Sequence, residues 1–111
     1  MRGSLPVENA GSVPLCLFVE PYGEDFWLEP GEVVTVSPIS DGTDVQFAVT
    51  VAAELMSVWL FENGDPNRVV SESQVLDTSG TPLECGHQRY ARRIPGPFLQ
   101  RGVKPDGALN R

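Results

Sequence analysis

At 111 residues the chain has room for one domain with one core, and its 41% hydrophobic content is enough to fold it. A formal charge of −7 argues against nucleic acid as a partner, since phosphate backbones are held by clustered Lys and Arg, and no apolar run approaches the roughly 18 residues of a membrane span. Ten prolines and eleven glycines, spread along the sequence, favour short strands joined by turns over helices.

Residues 1–12 combine Gly3, Ser4, Pro6, Asn9, Gly11 and Ser12 with little hydrophobic periodicity, so they are expected to be a flexible leader. Pro6, Glu8 and Asn9 interrupt the apolar segment that a secretory leader needs, and two cysteines make no disulfide framework. A reducing, cytoplasmic location is the expectation. The first strand begins near Val13 and runs through Leu15-Cys16-Leu17-Phe18-Val19. Pro21 and the turn formers Tyr22-Gly23-Glu24-Asp25 reverse the chain into Phe26-Trp27-Leu28. Pro30-Gly31 then predicts a type II turn, because proline presets φ at its first central position and glycine accepts the positive φ of the second. Val33-Val34-Thr35-Val36 leaves as a third strand.

A loop over residues 37–44 precedes the clearest period-two pattern in the chain, in which Val45, Phe47, Val49 and Val51 alternate with Gln46, Ala48, Thr50 and Ala52. Residues 52–60 mix helix formers with strand formers. A strand from about Met56 to Glu62 is expected, because Asn63-Gly64-Asp65-Pro66-Asn67 reads as a turn leading into a return arm at residues 68–71. A last short strand is expected at Gln74-Val75-Leu76. The whole predicts an all-β domain over residues 13–84: a single antiparallel β-sandwich or partly open barrel of six or seven strands.

The segment Glu-Pro-Tyr-Gly-Glu-Asp at 20–25, the aromatic strand after it and Pro-Gly-Glu at 30–32 resemble a motif of small, uncharacterised bacterial β-proteins of about this length. The resemblance covers roughly residues 13–37. It implies a compact β-fold and brings no activity or catalytic residue with it.

Charge divides the chain unevenly. Residues 1–84 hold fourteen acidic side chains against Arg2 and Arg68, a net of −12, whereas residues 85–111 hold six basic ones against Asp106, a net of +5. This second part is a basic tail or docking arm, broken by Pro95, Gly96, Pro97, Gly102, Pro105 and Gly107, with Ile94, Phe98, Leu99 and Val103 as isolated apolar residues. Arg89, Arg92, Arg93, Phe98 and Arg101 are its candidate partner-binding residues.

Chemistry is thinly represented. His87 is the only histidine, so Cys85, His87 and Cys16 supply too few ligands for a closed metal site, and no metal or other cofactor is expected. A Cys85–His87 nucleophilic pair would stand at the start of a Pro/Gly-rich tail, a poor place for preorganised catalysis. Glu20, Glu24, Asp25, Glu29 and Glu32 lie in turns and on strand edges, where acids mostly serve as solvated charges. Tyr22, Trp27 and Trp59 could form an aromatic ligand-binding platform, although both tryptophans sit in apolar strands where a core role is more frequent. The favoured reading is a non-enzymatic module acting by protein–protein contact or self-association through its basic tail, as a homodimer in the latter case. A small-ligand or carbohydrate-binding sandwich is the alternative, and a cupin-like enzyme is disfavoured by the single histidine.

Overall fold

The computed structural model describes residues 3–39, 42 and 44–89, and among them every regular element is a strand. Seven strands occur: β1 (Leu5–Glu8), β2 (Leu15–Val19), β3 (Glu24–Leu28), β4 (Val33–Pro38), β5 (Val45–Ala52), β6 (Leu55–Glu62) and β7 (Ser73–Leu76). They form a three-stranded sheet in the order β1-β4-β7 and a four-stranded sheet in the order β3-β2-β6-β5. All neighbours are antiparallel except β2 and β6, which run parallel from Cys16 beside Leu55 to Val19 beside Val58. The expected all-β fold is the observed one.

Alternation along the strands builds the core. Val7 of β1, Val34 and Val36 of β4 and Val75 of β7 come from one sheet; Leu17, Val19, Phe26, Leu28, Val45, Val58 and Leu60 come from the other. Leu17, Leu28, Val36, Val58 and Leu60 are wholly inaccessible to solvent. Two sheets that contribute alternate residues to one buried layer make a sandwich.

The domain is larger at both ends than the sequence suggested. Residues 5–8, expected within a flexible leader, are strand β1, because Val7 fills a core position and the strand pairs with β4 from Leu5 beside Val36 to Glu8 beside Val33. Asn9 then fastens the two sheets. Its buried side-chain amide donates to the carbonyls of Val13 and Leu28, its backbone N–H donates to Glu32 O, and its carbonyl accepts from Gly31 N–H at 2.7 Å. At the other end, residues 85–88 pack along the edge of β3, so the domain does not stop at residue 84.

The turns follow their chemistry. Glu32 N–H donates to Glu29 O at 3.0 Å across Pro30-Gly31, and Gly31 has φ of 88°, as a type II turn requires. A Cβ at Gly31 would meet nothing within 4 Å, so backbone strain alone opposes substitution. Gly31→Val is expected to lower stability by about 1 kcal/mol or more, read as a lower melting temperature; an unchanged melt would contradict the turn assignment.

The segment over 52–60 is strand throughout, apart from a two-residue turn at Ala53 and Glu54 that closes the β5–β6 hairpin with Ala52 beside Leu55. The expected return arm at 68–71 is not a regular strand. It meets β6 through one bridge, Phe61 to Val69, and through Val70 N–H to Leu60 O at 2.8 Å. It occupies the edge of β6 beyond the end of β2, so β6 is paired along both sides.

Candidate functional site

On β2, β3 and β6 the residues between core positions point to the outer face of the four-stranded sheet. Cys16 stands beside Trp27 and Phe18 beside Asp25 across the β2–β3 pair, while Cys16 neighbours Leu55 and Phe18 neighbours Ser57 across β2–β6. These side chains open a groove of about 410 Å³ lined by Pro14, Cys16, Phe18, Trp27, Glu54 and Leu55. Further along β6, Trp59 and Phe61 stack on the same face, with ring centroids 6.2 Å apart and planes 4° from parallel.

Both tryptophans therefore lie outside the core cluster, which corrects the expectation that apolar strands bury them between the sheets. Trp27 lines the groove, and Trp59 stands one strand beyond Cys16 in the sheet. Tyr22, 72% exposed, sits in the β2–β3 turn, whose closing rung of Val19 and Glu24 is about 10 Å along the strands from the rung of Cys16 and Trp27. It does not line the groove.

The edge of β3 carries a second assembly, made by residues 84–89. His87 bridges to Phe26 in parallel, Trp27 N–H donates to His87 O at 2.9 Å, and Gly86 N–H donates to Asp25 O at 2.6 Å. Two carboxylates fasten this short stretch. Asp25 is buried and accepts from Arg89 Nε and from Trp27 Nε1, each at 2.8 Å; Arg89 Nη2 reaches its other oxygen, and Cys85 Sγ lies 3.7 Å from that same oxygen. Glu32 takes His87 Nε2 at 2.9 Å on one oxygen, and Gln88 Nε2 at 2.7 Å with the Glu29 N–H at 2.9 Å on the other.

The electrostatics follow from these bonds. The Arg89 guanidinium holds the Asp25 carboxyl far below the usual aspartate range, against the opposing effect of burial and with help from the Trp27 N–H. Burial pushes Glu32 up, but the hydrogen bonds from His87, the Glu29 amide and Gln88 together outweigh it, and the net shift is downward. Of the five carboxylates read as solvated charges, Asp25 and Glu32 are therefore structural anchors. Their signal was present in the sequence as Arg89, His87 and Gln88, but separations of 55 to 64 residues hid the pairing.

Burial pushes the Cys16 thiol up to about 11, with the nearby Asp25 charge adding to the rise and Arg89 opposing it. Both cysteines are free, Cys16 buried and Cys85 exposed. A thiol reagent is expected to label Cys85 in the native protein and Cys16 only on unfolding, since the thiolate is the reacting species and needs access. Mass spectrometry after brief labelling checks this; rapid native labelling of Cys16 would show that the groove opens to its floor.

Among the described residues no three of the His, Cys, Asp and Glu side chains converge as a metal site would require. Of the predicted partner-binding residues, Arg89 is taken up by Asp25, and Arg92, Arg93, Phe98 and Arg101 lie outside the described residues. The groove residues Pro14, Phe18, Glu54 and Leu55 were missed. The usable signal was the unbroken apolar run 15–19, which a strand with one wet face would have interrupted. No protein-family model matches the chain, and neither a curated protein nor a solved structure matches it either.

Proposed function

We propose that this chain is a non-enzymatic β-module that works by protein–protein contact, with the outer face of its four-stranded sheet as the contact surface. The observation that supports this most is the placement of Phe18, Trp27, Leu55, Trp59 and Phe61 on a face with no second layer over it among the described residues. Aromatic anchors in a desolvated centre carry most of the energy in such contacts. Glu54 at the groove and the net acidity of the domain favour a basic partner segment, and the chain carries one of its own beyond Arg89.

Truncation after Arg89 tests the reading. The shortened protein is expected to differ from the full chain in oligomeric state or melting temperature at low salt, with the difference shrinking as ionic strength rises. Identical chromatography and melts at low salt would remove the basic segment from the function.

The groove also supports a second reading, a small-ligand or carbohydrate-binding sandwich, because about 410 Å³ flanked by an indole is room for a small molecule. Trp27 emission in a Trp59→Phe background separates the two. A saturable change on titration with simple sugars would favour this alternative, whereas no response to sugars leaves the protein-contact reading in front.

A further inference from the structure

The sheet edges are treated unequally. Unpaired backbone N–H and C=O groups along an edge invite another strand, and native domains usually cover or interrupt them. In the smaller sheet, β1 is four residues long and contains Pro6, which has no N–H to offer, while β7 is followed by residues 82–83, which fold back on it through the Leu76–Pro82 bridge and Leu83 N–H to Val75 O at 2.8 Å. In the larger sheet, residues 85–88 cover β3. The fourth edge is β5, which pairs only with β6 among the described residues.

This strand is also the one least protected by its sequence. It is eight residues long, and from Val45 to Ala53 there is no charged residue and no proline. Residues 48–52 are all exposed. Val49 and Val51 point to the core side of the sheet, in register with Val58 and Met56, yet they are 44% and 70% exposed while Val58 is fully buried. The four-stranded sheet overhangs the three-stranded one here, and the overhang is apolar.

We propose that β5 pairs antiparallel with β5 of a second copy, joining two four-stranded sheets into one of eight strands across a two-fold axis near Ala48 and Val49. The strand is complementary to itself, because its period-two pattern keeps Phe47, Val49 and Val51 on one face in either direction. With the axis at Val49, Phe47 meets Val51 of the second copy and Ala48 meets Thr50, each pair on a common face. Charge selects the same place: two net-acidic domains repel over most of their surfaces, and this uncharged strand lets them approach. The covered edges elsewhere make the contact isologous, so assembly stops at the dimer instead of growing into a filament. This surface is separate from the aromatic groove, and the dimer does not require it.

Sedimentation of the full chain over a concentration series tests the proposal. The expected result is a reversible monomer–dimer equilibrium that Val49→Lys with Val51→Lys weakens about tenfold or more, by setting like charges across the axis. Both positions are exposed, so the monomer's melting transition is expected to persist. In a Cys85→Ser background, oxidation of either Ala48→Cys or Val49→Cys is expected to give a covalent dimer, whichever of the two lies on the axis. Tyr22→Ala, in the exposed β2–β3 turn, is expected to leave the equilibrium unchanged. A chain that is monomeric at every concentration, or a dimer indifferent to the lysines, would overturn the proposal; a dimer lost only on removal of residues 90–111 would assign self-association to the basic segment.

Discussion

Leu60→Ala is expected to lower the unfolding free energy by about 3 kcal/mol, because it combines lost transfer energy with a cavity that cannot collapse. Leu60 is wholly buried on β6, the strand flanked on one side by β5 and on the other by β2 and then by residues 68–70. Its neighbours are thus fixed by backbone bonds on both sides. Chemical denaturation measures the loss. Val51→Ala, in the same hairpin but 70% exposed, serves as the comparison and is expected to change stability by no more than about 0.5 kcal/mol in dilute, monomeric solution. Equal losses at the two positions would contradict the layer assignment.

Asp25→Ala is expected to cost about 2 kcal/mol, since it removes the acceptor for the Arg89 and Trp27 donors beside a buried position. Arg89 is partly exposed and can turn to water, which keeps the penalty below that of a fully buried broken pair. The pH dependence has a definite sign. A carboxyl held below its unfolded value contributes stability that is fully present above the unfolded value and is lost as pH falls toward the folded one. Acid titration of the native protein should therefore show a loss of stability beginning at the ordinary aspartate range and continuing below it, and Asp25→Ala should flatten that slope. Glu32, also shifted down, leaves a residual slope of the same sign in the variant. Parallel acid curves for the two proteins would show that the carboxylate is not held by Arg89.

What could be read from the sequence was local. The strand at 45–51, the Pro30-Gly31 turn and the Asn63-Gly64 turn each depend on a few adjacent residues, and each is present, with Asn63 and Gly64 both at positive φ, 48° and 75°. The core face that the alternation of 45–51 implied holds at Val45 but not at Val49 and Val51, which are exposed because β5 is an edge strand. The β5–β6 turn was obscure because Ala53 and Glu54 carry none of the usual hairpin residues. Strand β1 was hidden by its brevity and by Pro6, since its register comes from β4 and not from any pattern of its own. The site was less legible than the fold. Asp25 looks like any acid in a turn until Arg89 is brought to it, and the tryptophans look like core until the sheet decides which face is inner.

The parallel contact of β2 with β6 also orders events during synthesis. β2 and β3 can pair early as a hairpin, but the far edge of β2 finds its partner only in residues 55–58, and the edge of β3 only in residues 85–88. Local hairpins form quickly, whereas pairings across forty or sixty residues must wait for loop closure. A nascent chain that has not yet exposed β6 to solvent therefore holds an apolar hairpin with both edges open, and one that has not yet released His87 still leaves β3 unsealed. Translation of almost the whole described domain therefore precedes its closure.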